Sequence, residues 1–229
     1  MAKTSLIIDN YNNGPYLRAC VDSALNQTVP ADEIIVYDDG SSDDSLAILK
    51  SYGDRIRLIA GTHLPLTHRA AQTRAVQAAF AESSGDLVFL LDGDDRFHPR
   101  KIEVYLATFA AHPGLSLIQS PMVEIDSRDA VIGDNRRNFK HQADYLAATY
   151  DWNDVDFYYP TSSLAFSREF LKQVLSSDYP QKTGLAIDTL LSCLAPLYGP
   201  VICLDDCLSD WRRHTRSVSV RYGESRAFL

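Results

Sequence analysis

Apolar positions in the first hundred residues alternate between two patterns. Short apolar runs at 6–8, 33–37, 56–60 and 87–91 predict strands, and the last, the continuous one, reads as buried on both faces of a sheet. Between them the spacing turns helical. Tyr16, Leu17, Cys20, Val21, Ala24 and Leu25 recur at helical intervals after Gly14-Pro15, a helix-start signal. Leu46, Ile48 and Leu49 follow Ser41-Ser42-Asp43-Asp44, a stretch rich in capping side chains, and 70–81 is dense in helix formers. Such strand–helix–strand repeats predict an α/β fold with a mostly parallel, doubly wound sheet flanked by helices. Ligands bind such sheets beyond the carboxyl ends of the strands, so loops 9–14, 38–44 and 92–98 are expected at one edge.

The second half is less regular. The pattern predicts helices over 99–111, 139–149 and 185–197, and strands over 115–120 and 201–204. The mixed-charge segment 126–138 reads as a surface loop. Around Pro160, Phe157-Tyr158-Tyr159 and Leu164-Ala165-Phe166 suggest short strands and a turn. The aromatic triplet suits either core packing or a sugar-stacking face. From Arg212 onward the chain is basic, with Arg212, Arg213, His214, Arg216, Arg221 and Arg226. No repeat, low-complexity tract or linker divides the 229 residues, so a single domain over 1–229 is expected.

Composition narrows the class. With 45% hydrophobic and 23% charged residues the chain has globular rather than disordered character. Thirty acidic against 22 basic side chains give a net charge of −8, which argues against nucleic acid as a partner. An acidic protein that binds an anionic ligand needs a metal or a few placed arginines. No apolar run approaches the roughly 20 residues that span a bilayer. Met1-Ala2-Lys3-Thr4 passes straight into the first strand, so no leader is expected. Cys203 and Cys207 are four apart without a second clustered pair, which favours reduced thiols in a cytoplasmic protein over a zinc site.

The sharpest chemical feature is Leu91-Asp92-Gly93-Asp94-Asp95, three carboxylates crowded behind a buried strand. Like charges this close raise each other's pKa unless a cation offsets them, and clustered oxygens suit Mg2+ or Mn2+ bound with substrate phosphates. Gly93 lets the turn bring those oxygens together. Asp38-Asp39-Gly40-Ser41 follows the second strand and is expected at the same edge. There is no Gly-x-Gly-x-x-Gly fingerprint and no Gly-Lys-Ser/Thr phosphate loop, so neither the common dinucleotide site nor P-loop chemistry is indicated.

Four segments in this order, Asp9-Asn10-Tyr11-Asn12, Ser23-Ala24-Leu25-Asn26-Gln27-Thr28, Glu33 through Ser41, and Leu91-Asp92-Gly93-Asp94-Asp95, resemble successive motifs of the family 2 glycosyltransferases. The likeness is sharp through about residue 100 and looser beyond. It implies the GT-A fold, with a nucleotide-binding half over about 1–110 and an acceptor-binding, catalytic-base half over 111–229. It also implies inverting transfer of a sugar from a nucleotide-diphosphate donor, UDP- or dTDP-sugar favoured, to a hydroxyl of a saccharide or lipid-linked acceptor.

Carried over by motif, the resemblance implies Asp39 against the base with Tyr11 beside it, and Asp92 near the ribose. Asp94, helped by Asp92, would bind Mn2+ or Mg2+. Asp95 would support the metal shell or the donor sugar, and Gly93 lies in the same turn. Arg69 and Arg74 are candidates for the nucleotide or phosphates. Asp188 in Ile187-Asp188-Thr189-Leu190-Leu191 matches the catalytic base, although it also suits an acid stabilising a helix N-terminus. Asp210 to Ser219 resembles the family's Tyr-Arg-x-His-x-x-Ser-x-Ser tail, which places Arg212 or His214 near the diphosphate or metal. The chain departs from the pattern at three points. Asp9 replaces a proline at the nucleotide side, Ile187 replaces a glutamate before the base, and Trp211 replaces a tyrosine. These departures keep a catalytically weak or noncatalytic nucleotide-sugar-binding domain as an alternative. A nucleotidyltransferase is less favoured, because Asn12-Asn13-Gly14 supplies no Gly-rich basic loop. Polysaccharide biosynthesis in the cytoplasm or at the inner face of the membrane is the expected setting, with peripheral membrane contact and a homodimer left open.

Overall fold

The computed structural model describes residues 2–136 and 158–215. The chain opens with β1 (Thr4–Asn10), α1 (Gly14–Leu25), β2 (Glu33–Asp38), α2 (Ser45–Lys50), β3 (Arg57–Ala60), α3 (His68–Ala81) and β4 (Leu87–Asp92). The helices and strands expected in this half are present, with ends shifted by a few residues. Then come β5 (Arg96–Phe97), α4 (Lys101–Ala111), β6 (Leu117–Gln119), β7 (Val123–Ile125) and β8 (Val131–Asp134). After a 3-10 turn at Thr161–Ser163 follow β9 (Ala165–Ser167), α5 (Arg168–Leu175), α6 (Tyr179–Thr183), α7 (Ile187–Leu194), β10 (Val201–Cys203) and β11 (Ser209–Arg212).

Seven strands form the central sheet in the order β10-β6-β9-β4-β1-β2-β3. All its pairings are parallel except those of β9, which runs antiparallel to β4 and β6. Strand alternation explains how both faces are covered. Leu6 and Ile8 of β1 pack with Leu17 and Val21 of α1 and Ile102 of α4, whereas Ile7 packs with Val76 and Ala79 of α3 and Leu190 of α7. All five residues of β4 before Asp92 are at most 1% exposed. At about 1.5–3 kcal/mol for each large side chain, their burial fixes where the following carboxylates stand.

Beside this expected sheet lies a second, four-stranded one in the order β5-β11-β7-β8. It corrects the expectation of a loop over 126–138. Asp126 Oδ1 accepts the backbone N–H of Arg128 (2.7 Å) and Ala130 (3.0 Å), and Asp129 takes the left-handed conformation at φ 67°. This polar turn folds β8 back on β7 as a hairpin. The small sheet positions the site, since β11 pairs with β5 and carries residues 209–214 to the turn after β4. Tyr159 is buried and Tyr158 packs partly against the core, so these two take the packing role. The helix expected over 139–149, Phe157, Arg216, Arg221 and Arg226 lie outside the described residues. No helix among the described residues is long and apolar enough to cross a membrane.

Candidate functional site

Register brings the acidic motifs together. Asp9 on β1 is level with Asp92 on β4, and Asn10 is level with Asp38 on β2. The Gly93 N–H donates to Asp9 O (3.0 Å), and the Asp39 N–H to Asn10 O (2.9 Å). A Cβ at Gly93 would stand 2.6 Å from Asn10 Oδ1, so only glycine permits this approach. Asp38 is buried and structural. It accepts from Asn10 Nδ2 (2.7 Å), Ser41 Oγ (2.7 Å) and the Ser41 N–H (2.9 Å), closing the turn that presents Asp39.

Asp39 receives Arg74 on Oδ1 and lies 3.0 Å by Oδ2 from His63 Nδ1. Tyr11, 40% exposed, stacks on the same imidazole. Of the two basic candidates on α3, Arg74 reaches this corner, while Arg69 lies exposed one turn earlier.

The second corner is a chain of carboxylates joined by neutral donors. Gln72 Nε2 donates to Asp92 Oδ1 (3.0 Å) and to Thr161 Oγ1 (3.4 Å), and Thr161 Oγ1 donates to Asp188 Oδ2 (3.3 Å). Burial raises the pKa of Asp9 to about 7, with a hydrogen bond to Asp92 working the other way. Asp92 is pushed up by burial and then by Asp9, and Asp95 by burial and then by Asp94. Asp188 is likewise raised by burial, against the hydrogen bonds from Thr189 and Thr161. It sits in the first turn of α7, where a negative charge favours the helix, and accepts the Thr189 N–H at 2.6 Å, so one carboxylate both supports the helix start and faces the acidic corner. Ile187, where the resemblance calls for glutamate, is fully buried in the core.

The third corner is built by β11. Asp95 accepts Ser162 Oγ (2.6 Å) and the Arg212 N–H (2.8 Å). Arg212 is 2% exposed and donates to Asp94 O (2.8 Å) and Asp126 O (3.0 Å), pairs with Asp129 (2.6 Å) and covers the Tyr16 ring. It braces the acidic turn from below. His214 Nε2 is 2.8 Å from Asp94 Oδ2, an imidazole nitrogen and a carboxylate oxygen at hydrogen-bond distance. Those two donor types would suit a divalent ion such as Mn2+. Among the described residues no group of three or more His, Cys, Asp or Glu side chains is arranged to hold a metal. Beneath Asp95, Lys101 is fully buried and bonds to Ser162 O, Ser163 O and Ser209 Oγ, which locks the 3-10 turn to β11. Sequence reasoning missed His63, Gln72, Thr161, Ser162 and Lys101. Only the Thr161-Ser162-Ser163 run offered a signal, a polar cluster beside an apolar segment.

The helix-flanked central sheet, with carboxylates along one edge, two of them against imidazoles and one in a helix's first turn, has the GT-A fold. The chain belongs to glycosyl transferase family 2, whose model matches residues 5–175. It is 29% identical over 217 residues to an uncharacterized glycosyltransferase of Nostoc sp., covering 93% of this chain and 65% of that protein. The fold is shared with S. aureus TarS 1–349 in complex with UDP, at TM-score 0.67 and 20% identity, covering 92% of this chain and 60% of that one. It is also shared with glucosyl-3-phosphoglycerate synthase from Mycobacterium tuberculosis, in complex with Mn2+, UDP and glucosyl-3-phosphoglycerate, at TM-score 0.64 and 19% identity over 98% of this chain and 76% of that one. The chain thus spans less than two thirds of the length of the Nostoc relative and of TarS 1–349.

Proposed function

We propose that this chain is an inverting, divalent-metal-dependent glycosyltransferase that moves a sugar from a UDP- or dTDP-sugar to an acceptor hydroxyl. The observation that carries the reading is the line Asp92–Gln72–Thr161–Asp188, which sets a raised-pKa carboxylate beside the acidic strand ends. Solved relatives of the same fold hold UDP, one of them with Mn2+, which supports the donor class.

In this reading Tyr11 and Asp39 hold the base, Arg74 fixes Asp39, and Asp92 meets the ribose. Asp94 and His214 would hold the divalent ion, which neutralises charge on the departing diphosphate when bound. Asp188 takes the proton from the acceptor hydroxyl as that oxygen attacks the anomeric carbon and the bond to the diphosphate breaks. Burial raises its pKa, which makes it a stronger proton acceptor than an ordinary exposed carboxylate. Asp95, Arg212 and Lys101 hold the turn rigid, so the donor meets groups already in place. The acceptor is a saccharide or lipid-linked sugar, met at the cytoplasmic side of a membrane or in the cytoplasm.

The test is UDP release from UDP-sugars with Mn2+, with and without saccharide acceptors. Acceptor-stimulated release that is lost in Asp188→Asn is expected. Ile187 in the core, in place of a second carboxylate, favours one alternative, a noncatalytic sugar-nucleotide binder. UDP binding without any release under every acceptor would establish that alternative.

A further inference from the structure

The loop 61–67 crosses the carboxyl end of β2 and lays His63 on two groups at once. The imidazole lies flat on Tyr11, with ring centroids 4.3 Å apart and planes 9° from parallel. Its Nδ1 is 3.0 Å from Asp39 Oδ2. A carboxylate accepts, so the hydrogen bond assigns the proton to Nδ1. Arg74 takes the other oxygen of Asp39 and donates to Thr62 O (2.9 Å), tying down the same loop. The backbone is shaped for this approach. Gly40 has φ +73°, and a Cβ there would run into the His63 backbone nitrogen.

We propose that His63 is an internal stand-in for the nucleobase, which the base of the donor must displace. The inference rests on the reading that Tyr11 and Asp39 hold that base. A flat ring on the Tyr11 face, donating a ring N–H to Asp39, is what a bound uracil, thymine or guanine would present there. The two rings are one stacking distance apart, so no base fits between them. Both Asp39 oxygens are engaged, so a base cannot reach the carboxylate while His63 remains.

Displacement is feasible because the ring and its neighbours in the loop are open to solvent on one side. The His63 side chain is 41% exposed, and Leu64 and Leu66 are 41% and 42% exposed. The cost of moving His63 is the same for every base, so it lowers the affinity for uracil and cytosine nucleotides alike and leaves the choice between them to Asp39.

The test is calorimetric titration of the full chain with UDP and with CDP, in Mn2+ at fixed pH. Removing the competitor in His63→Ala is expected to tighten UDP binding about 3- to 10-fold, the scale of one aromatic pair, and CDP binding by the same factor. His63→Phe keeps the stack without the hydrogen bond and is expected to lie between. Unchanged UDP affinity in His63→Ala would overturn the proposal, and weaker affinity would overturn it in favour of a ring that covers bound base. Either conclusion requires that Asp39→Asn weakens UDP binding. If neither Asp39→Asn nor Tyr11→Ala weakens it while Asp94→Asn does, the base assignment itself fails. Absence of UDP, dTDP and GDP binding to both the wild-type chain and His63→Ala would overturn the two together.

Discussion

Acids on the two sheets are held in opposite states, although the residue type is the same. At the edge of the central sheet Asp9, Asp92, Asp95 and Asp188 are all pushed above the usual carboxylate range, burial being the largest cause in each. Apart from the contact between Asp9 and Asp92, their side-chain partners are neutral, namely Gln72, Thr161, Thr189 and Ser162. On the small sheet Asp210 is also largely buried, and burial again raises its pKa. Yet His98 at 2.6 Å and Arg96 at 2.8 Å outweigh burial and bring it below the usual value. Asp126, in the hairpin turn, is lowered by the N–H groups of Arg128 and Ala130. The small sheet therefore satisfies its own charge, while the central edge leaves negative charge that a bound proton or an incoming cation offsets. Asp39 stands apart from the other edge acids, paired with Arg74 and His63.

The largest break in this contrast is expected at Asp188. Asp188→Asn keeps the shape and an acceptor for the Thr189 N–H but removes the base, so transfer should fall about 10²- to 10⁴-fold. UDP affinity, measured by calorimetry, should stay within about twofold. Near-normal transfer in this variant would sink the assignment. Next in size is Asp94→Asn, which takes the carboxylate from the Asp94–His214 pair and should weaken Mn2+-dependent UDP binding at least about tenfold. An equal loss without Mn2+ would place Asp94 in folding rather than in metal binding. On the compensated side, Asp210→Asn strips His98 of its counter-charge and leaves Arg96 with Asp129 alone. A loss of about 1–3 kcal/mol is expected, a fall in Tm of roughly 3–10 °C by thermal scanning, with UDP affinity unchanged. A drop in UDP affinity there would erase the division between the two sheets.

That division was only half legible in the sequence. The strands of the first half announce themselves because each is a run of apolar residues buried on both faces, as in Leu87 to Leu91. The small sheet has no such signal. Strand β11 reads Ser-Asp-Trp-Arg, and its buried members are Ser209, Asp210 and Arg212, polar residues satisfied by distant partners. The exposed Val131-Ile132 of β8 is too short to show alternation. The acidic edge was legible because its carboxylates cluster in the chain as well as in space. His63 and Gln72 were not, since each is a single residue whose partner lies 20 or more positions away. Arg212 read as a cation free to meet phosphate, and its acidic and carbonyl partners at 94, 126 and 129 became visible only with the hairpin.

The smallest expected effect gives the contrast its sign. Asp9 has its pKa raised from 3.8 to about 7 in the folded chain, so between those values the folded state binds more protons than the unfolded one. Its contribution to stability is full below pH 3.8 and is lost as pH rises through about 7. Asp210, with a depressed pKa, contributes in the reverse sense: its stabilisation is present above the unfolded value and is lost as pH falls through the folded one. Asp9→Asn keeps a neutral, hydrogen-bonding side chain at every pH. Without added metal it should raise Tm by about 2–4 °C at pH 8 and leave it unchanged at pH 4, as thermal scans at the two pH values would show. Adding Mn2+ with UDP should shrink that difference, because the same ligands offset the charge that Asn removes. A Tm gain of equal size at pH 4 would instead trace to packing at the strand end, and Asp9 would leave the uncompensated group.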